Sequence, residues 1–237
     1  MKVIVVGTGR MGQLICARAS QLGHEVLAAG DRLNPGEVPQ AAGQADVIID
    51  FSHPDNLEWI LSLPSQAAIV EGTTGYSQEH LDRLHAAAGH RPVFFSANYS
   101  LGIAVLKKLA AQAAAMLEGF DIEIVETHHA LKADAPSGTA LALRDAVDPD
   151  RQFTTVCGRQ GQTGARKKEI GIHALRGGTA AGDHDVLYLG PQETVKLSHH
   201  AESREIFVNG ALKAAEFTAG QQPGLYTMEE LLEEKNS

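Results

Sequence analysis

What this chain has little of narrows the field before any motif is read. It carries two cysteines in 237 residues, Cys16 and Cys157, far apart and in no C-x-x-C pattern. That excludes a disulfide framework and fits the reduced thiols of a cytoplasmic protein. No apolar run is long enough to span a bilayer, and Lys2 leads straight into a strand-like run, so neither a membrane span nor a signal peptide is expected. Positive charge is in deficit. Twenty Lys and Arg against 29 Asp and Glu leave a formal net charge of −9, a surface that repels nucleic acid and anionic membrane. An anionic ligand would need a local basic pocket. There is no H-E-x-x-H or Cys/His ligand spacing, no repeat of fixed period and no low-complexity tract. No metal is expected, although six of the eleven histidines fall in the second half of the chain.

What is present begins with alternating strands and helices. Lys2-Val3-Ile4-Val5-Val6 is a β-branched run suited to a strand buried on both faces. Gly7-Thr8-Gly9-Arg10-Met11-Gly12 follows, then a helix from Met11 to Leu22 stopped by Gly23, and a second strand from Glu25 to Ala29. This is the dinucleotide-binding arrangement. Gly7 makes the tight turn, Gly9 lets backbone approach a pyrophosphate, and Gly12 lets helix and strand pack closely. Asp31 can accept from the adenosine ribose hydroxyls, which favours NAD, while Arg32 can pair with a 2′-phosphate, which favours NADP. Both NADH and NADPH stay open.

The segment from Asn34 to Gly43 reads as a loop. Strands follow at Asp46–Phe51, Ala67–Glu71 and Pro92–Phe95, with helices at Asp55–Leu63 and Gln78–Ala88 between them. Such alternation means a parallel sheet with ligands at the carboxyl ends of its strands. The cofactor loops are therefore Asp50-Phe51-Ser52, Gly72-Thr73-Thr74 and Ser96-Ala97-Asn98-Tyr99. An alanine-rich helix from Ser100 to Leu117 opens a second, smaller α+β domain. Its strands alternate at period two: Asp121–Glu126, Glu169–Leu175, His184–Leu189 and Glu193–His200, predicting a mixed or antiparallel open sheet. Gly158–Lys168 reads as a mobile basic loop that helps attract an anionic substrate, and Glu202–Phe217 as a helix interrupted near Asn209-Gly210. The fold class is α/β, with a Rossmann domain of residues 1–99 and 209–237 and a substrate-binding and oligomerisation domain of residues 100–208.

The chemistry concentrates in one stretch, Glu126 to Thr139. It starts as a strand and ends as a helix, with Ser137 and Thr139 as capping candidates, and His128, His129 and Lys132 on the loop between them. Lys132, His129 and the Ser137-Gly138-Thr139 helix start supply the cations and N–H donors that a dicarboxylate needs. Hydride delivered to a conjugated ring pushes electrons toward the ring nitrogen, and His128 and Lys132 are the candidate acids for the proton that follows.

This stretch meets every fixed position of E-x-H-H-x-x-K-x-D-A-P-S-G-T, the signature of the 4-hydroxy-tetrahydrodipicolinate (dihydrodipicolinate) reductase family, which the chain resembles. Gly72-Thr73-Thr74-Gly75, Ala97-Asn98-Tyr99-Ser100 and Pro223-Gly224-Leu225-Tyr226-Thr227-Met228 resemble further motifs of that family, in order. The first glycine turn departs from the family's G-x-x-G-R-M-G by one residue fewer. The resemblance implies NAD(P)H-dependent reduction of a small cyclic dicarboxylate in lysine and diaminopimelate biosynthesis, by a cytoplasmic homotetramer joined through the second sheet. It implies that His128 donates and accepts the proton, that Lys132 is a proton donor, and that His129, Gly138 and Thr139 hold substrate. Two rivals remain. One is another small-substrate NAD(P)-dependent dehydrogenase, though the short-chain type is disfavoured because no Tyr-x-x-x-Lys occurs. The other is a non-catalytic NAD-sensing protein, which has no need of His128 and Lys132 together.

Overall fold

The computed structural model describes residues 1–234, so the last three residues of the expected 209–237 segment lie outside it. In chain order the elements are β1 (Lys2–Val6), α1 (Arg10–Gln21), β2 (Glu25–Gly30), α2 (Val38–Ala41), β3 (Val47–Asp50), α3 (Leu57–Ser62), β4 (Ala68–Glu71), α4 (Gln78–Ala88), β5 (Pro92–Phe95), α5 (Leu101–Met116), β6 (Asp121–His128), α6 (Gly138–Val147), β7 (Thr154–Cys157), β8 (Glu169–Arg176), β9 (Asp183–Gly190), β10 (Glu193–His200), α7 (Glu205–Thr218), β11 (Gly224–Tyr226) and α8 (Met228–Glu234). The chain divides into two compact units, Met1–Leu101 together with the chain from Glu205 on, and Gly102–Arg204.

The first unit is a six-stranded parallel sheet in the order β11-β5-β4-β3-β1-β2, as the alternating pattern predicts. Strands buried on both faces must be apolar throughout, and Ile4, Ile48, Ile69 and Val93 are buried with Leu57, Ile60 and Leu84 of the covering helices. Strand order reverses at β1, which pairs with both β2 and β3; the crevice at such a switch point is where nucleotides bind in open α/β sheets.

The second unit is a five-stranded mixed sheet, β10-β9-β6-β8-β7. Its central strand β6 runs parallel to β8 and antiparallel to β9. Ile122 and Ile124 face a core that includes Ile103, Leu106 and Ala110 of α5 and Leu143 and Val147 of α6. Period two carries Glu126 and His128 onto that same inward face.

Four local expectations are corrected. Residues 38–44 are not plain loop but α2 and a 3-10 turn at Ala42–Gln44, because Val38 and Ala42, four apart, both bury into the sheet's core. Helix α7 is continuous through Gly210. A Cβ there would strike the Tyr99 carbonyl oxygen, so the glycine serves close packing rather than a break, against an intrinsic cost of about 1 kcal/mol. Strand β6 runs two residues further than expected, so His128 sits in a strand rather than on a loop, in register with Arg176. In the basic loop, Arg159 donates to Glu123 and Glu169, and Arg166 pairs with Glu123 and Asp121. Burial alone would raise Glu123, but Arg159, His173 and Arg166 outweigh it and bring it down to about 2. The two arginines are neutralised within the sheet and are not available to attract a substrate.

Candidate active site

The second unit brings His128 to a fixed place. It is 8% exposed at the end of β6, and its Nδ1 lies 2.5 Å from Glu126 Oε2. Glu126 is fully buried and receives both arms of Arg176, Nη1 to Oε2 and Nη2 to Oε1, each at 2.9 Å, with the Ser137 backbone N–H at 3.0 Å from Oε1. Burial pushes Glu126 up, but Arg176, His128 and Ser137 together hold it below the ordinary carboxylate value. A carboxylate kept ionised at Nδ1 holds the Nδ1–H tautomer and leaves Nε2 to exchange a proton. Nε2 faces Gly182, where a Cβ would stand 3.0 Å away, so a side chain there would crowd it.

His184 lies edge-on to His128 at a ring distance of 5.2 Å, and its Nε2 is 3.3 Å from Ser137 Oγ. Burial, then the charge of His128, brings His184 down to about 4, so it stays neutral near pH 7. Ser137 is 2% exposed and accepts from Ala140 N as the cap of α6. Its hydroxyl oxygen thus holds the start of the helix. Gly138 is exposed and Thr139 half-buried in the first turn of that helix. Lys132 Nζ pairs with Asp134 Oδ1 at 2.8 Å, and Arg204 Nη2 donates to His129 Nε2 at 3.1 Å. Lys132 is thus tethered by its own loop.

Ligand atoms of Glu126, His128 and His184 lie within 4.8 Å of one another, a set that could hold a metal ion. Both Glu126 oxygens already accept from Arg176, however, and a cation there would have to displace a guanidinium. The hydrogen bonds favour proton transfer over metal binding at this cluster.

In the first unit the glycine turn has the cradle that a dinucleotide needs. Gly7 has φ +104°, and a Cβ there would lie 2.6 Å from the Phe51 carbonyl oxygen. A Cβ on Gly12 would strike the Gly7 carbonyl oxygen, so α1 packs against the turn itself. Gly9 caps α1 with no side-chain bond and nothing within 4 Å of where a Cβ would stand, which leaves its side of the helix start open to an anion. Thr8 and Arg10 are exposed and Met11 half-buried beside it, and a cavity of about 560 Å³ is lined by Gly7, Thr8, Gly12 and Gln13. A larger cavity, about 680 Å³ around Leu63, Arg83 and Arg91, contains none of the expected site residues.

At the end of β2, Asp31 Oδ1 accepts from Leu33 N and Asn34 N, which shapes the loop, and Arg32 Nη2 donates to Asp55 at 2.8 Å. The strand-end loops carrying Phe51, Gly72, Thr73, Thr74, Ser96, Ala97, Asn98 and Tyr99 stand together at the carboxyl edge of β3, β4 and β5. Thr73 and Tyr99 are buried there: Tyr99 donates to the Glu71 carbonyl at 2.7 Å and packs on Phe51 at 5.2 Å, supporting the wall from behind.

Not legible in the chain were the parts that orient His128: the roles of Glu126 and His184, and Arg176 and Gly182 altogether. Of these, only Glu126 left a signal, since i and i+2 of a strand share a face. The other three come from β8, β9 and their connection, where only strand pairing reveals the contact.

Comparison with known proteins follows the same division. Residues 1–99 match the family model described as dihydrodipicolinate reductase, N-terminus, and residues 102–232 match dihydrodipicolinate reductase, C-terminus. A 4-hydroxy-tetrahydrodipicolinate reductase of Caldanaerobacter subterraneus subsp. tengcongensis is 46% identical over 98% of this chain and 98% of its own. One from Staphylococcus haemolyticus is 41% identical over 98% of this chain and 100% of its own. Among solved structures, a dipicolinate-bound dihydrodipicolinate reductase from a Paenisporosarcina species has a TM-score of 0.78 at 24% identity, covering 96% of this chain and 97% of that one, a likeness of fold.

Proposed function

The chain belongs to the dihydrodipicolinate reductase family, and on that premise we propose that it reduces 4-hydroxy-tetrahydrodipicolinate to tetrahydrodipicolinate, with NADH or NADPH as reductant, in lysine and diaminopimelate biosynthesis. The observation that carries the reading is His128, fixed through Glu126 and Arg176 on the strand that leads to the α6 N-terminus. A buried, oriented imidazole near a helix start and a lysine suits protonation of a ring whose carboxylates are held by those positive groups. An NAD-sensing protein would have no use for it.

Residues 1–99 with the chain from 209 on hold the cofactor in this reading, and residues 100–208 hold the substrate. Gly7, Thr8, Gly9, Arg10, Met11 and Gly12 take the pyrophosphate, Asp31 and Arg32 the adenosine end, and the loops of Phe51, Thr74 and Ala97 the nicotinamide end. The cofactor, when bound, supplies hydride. His129, Lys132, Gly138 and Thr139 grip the two carboxylates, and His128 delivers the proton through Nε2. Homotetramer assembly and a cytoplasmic location belong to the same proposal. It is supported by the family match and by the described residues, which include no helix long and apolar enough to cross a membrane.

Two substitutions test the assignment at its two ends. Thr139→Val keeps shape and removes a hydroxyl. It raises KM and weakens inhibition by pyridine-2,6-dicarboxylate, while NADH binding is unchanged; unaltered inhibitor affinity would remove the hydroxyl from the site. Arg32→Ala weakens NADPH more than NADH by about 1.5–3 kcal/mol, the worth of a charged hydrogen bond, read by titration calorimetry with each cofactor. Equal weakening would mean that Arg32 stays with Asp55 when the cofactor binds.

A further inference from the structure

Directly behind the cofactor loops, two carboxyl groups are buried side by side. Asp50 ends β3 and Glu71 ends β4; they are register partners in adjacent parallel strands, and neither is exposed to any measurable degree. Every polar atom around them is accounted for except two, Glu71 Oε2 and the Tyr76 hydroxyl. Asp50 Oδ1 accepts from the Ser52 hydroxyl, and Asp50 Oδ2 accepts from the Thr73 hydroxyl at 3.0 Å. Thr73 Oγ1 in turn accepts from Ser52 N at 2.9 Å, and Thr73 N donates to Glu71 Oε1 at 2.9 Å. Glu71 Oε2 is left buried with no donor.

Two ionised carboxylates in contact and out of water are not tolerable, and an orphaned buried oxygen costs as much as a lost hydrogen bond. One proton removes the repulsion and gives Glu71 Oε2 a partner, and the unpaired Tyr76 hydroxyl beside it does neither, because it brings no charge to offset the second carboxylate. With it on Glu71 Oε2, that atom becomes a donor to Asp50, which stays ionised and receives both hydroxyls as well. Burial and the Asp50 charge push Glu71 well above the usual carboxylate range, and burial pushes Asp50 up to about 6. The other titratable groups facing the pair are the Tyr76 and Tyr99 hydroxyls, both raised in turn by burial and by the Glu71 charge. Helix α7, packed over β4, buries only Val208, Gly210, Ala211, Leu212, Ala214, Ala215 and Thr218, so it brings no counter-charge.

The network does not end at the pair. Ser52 Oγ accepts from Asn56 Nδ2 at 2.8 Å, and Asn56 Oδ1 accepts from Arg32 N at 3.2 Å. Three strand-end loops, those after β2, β3 and β4, are therefore fastened to one another through the carboxyl pair. These are the loops that carry Arg32, Phe51 and Thr74. We propose that Glu71 is a positioning residue of the cofactor site: it is held as the neutral acid, shares its proton with Asp50, and through Thr73, Ser52 and Asn56 fixes the loops that receive the dinucleotide. This rests on the NAD(P)H reading above. The backbone geometry of the loops depends on the proton, because without it the two carboxylates repel and the Thr73 and Ser52 bonds lose their common anchor.

The test uses the full-length protein and three forms of residue 71. Infrared difference spectra of wild type against Glu71→Gln at neutral pH, with no cofactor present, are expected to show the carbonyl stretch of an un-ionised carboxylic acid in wild type only. A spectrum with no such band in wild type, or a band that persists in Glu71→Gln, overturns the shared proton. Titration of NADH is expected to give Glu71→Leu a Kd about tenfold weaker than wild type, since Thr73 N loses its acceptor, with Glu71→Gln returning to within about threefold. Unchanged affinity in Glu71→Leu, or a Glu71→Gln as weak as Glu71→Leu, overturns the positioning role. If Glu71→Leu does not fold, the spectra and Glu71→Gln decide alone. Failure of wild type to bind NADH at all would instead overturn the NAD(P)H reading, which the spectra do not touch.

Discussion

Replacing His128 by glutamine lowers kcat by roughly 10²–10⁴-fold and leaves KM close to wild type, the pattern expected when a group acts in the transition state alone. Glutamine keeps a hydrogen-bonding side chain at the end of β6 but cannot titrate. The loss is confined to turnover because His128 is not among the groups assigned to the carboxylates; it sits 8% exposed with Nδ1 fixed on Glu126 and Nε2 toward Gly182. The wild-type pH profile carries an ionisation that the His128→Gln enzyme lacks. Lys132→Met behaves differently, damaging both KM and kcat, because it removes a positive charge from the substrate's surroundings and a proton source together. Near-normal kcat with an unchanged profile in His128→Gln would pass the acid's role to Lys132 or to a water.

Glu126→Leu destabilises the second unit by about 3–5 kcal/mol, the cost of removing one partner from a buried ion pair. Two guanidinium arms, the Ser137 N–H and His128 Nδ1 all lose their acceptor at once. The pH dependence follows from the sign of the shift. Glu126 titrates below its ordinary value in the folded chain, so its contribution is fully present above the unfolded carboxylate's value of about 4.3 and is lost as pH falls through the folded value. Urea denaturation should show the gap between wild type and Glu126→Leu at full size near pH 7 and narrowing on acidification. A gap absent at neutral pH, or one that widens in acid, would mean that the Arg176 pair does not hold this site together.

The first unit was legible from the chain because its signals are local. A glycine turn between a β-branched run and a helix, and strands ending in short polar loops, can be read by eye, and α4 has the limits the pattern suggests, Gln78–Ala88. The second unit was legible in its strands but not in their pairing. That β6 lies between β8 and β9, bringing Arg176 and His184 to the Glu126–His128 edge, depends on contacts some fifty residues apart that no periodicity encodes. The short strands Thr154–Cys157 and Gly224–Tyr226 were not foreseen either; three or four residues added at a sheet edge leave no periodic trace. The buried carboxyl pair was hidden for a related reason. Asp50 and Glu71 look like ordinary polar strand ends, and only register shows that they meet.

The most direct measurement is NADH oxidation with substrate generated freshly from pyruvate and aspartate semialdehyde by the preceding synthase. NADH is expected to disappear in proportion to the substrate supplied, NADPH to serve as well, and pyridine-2,6-dicarboxylate to inhibit. A chain that binds NADH but consumes none under those conditions would contradict the reductase reading and leave the NAD-sensing reading in its place.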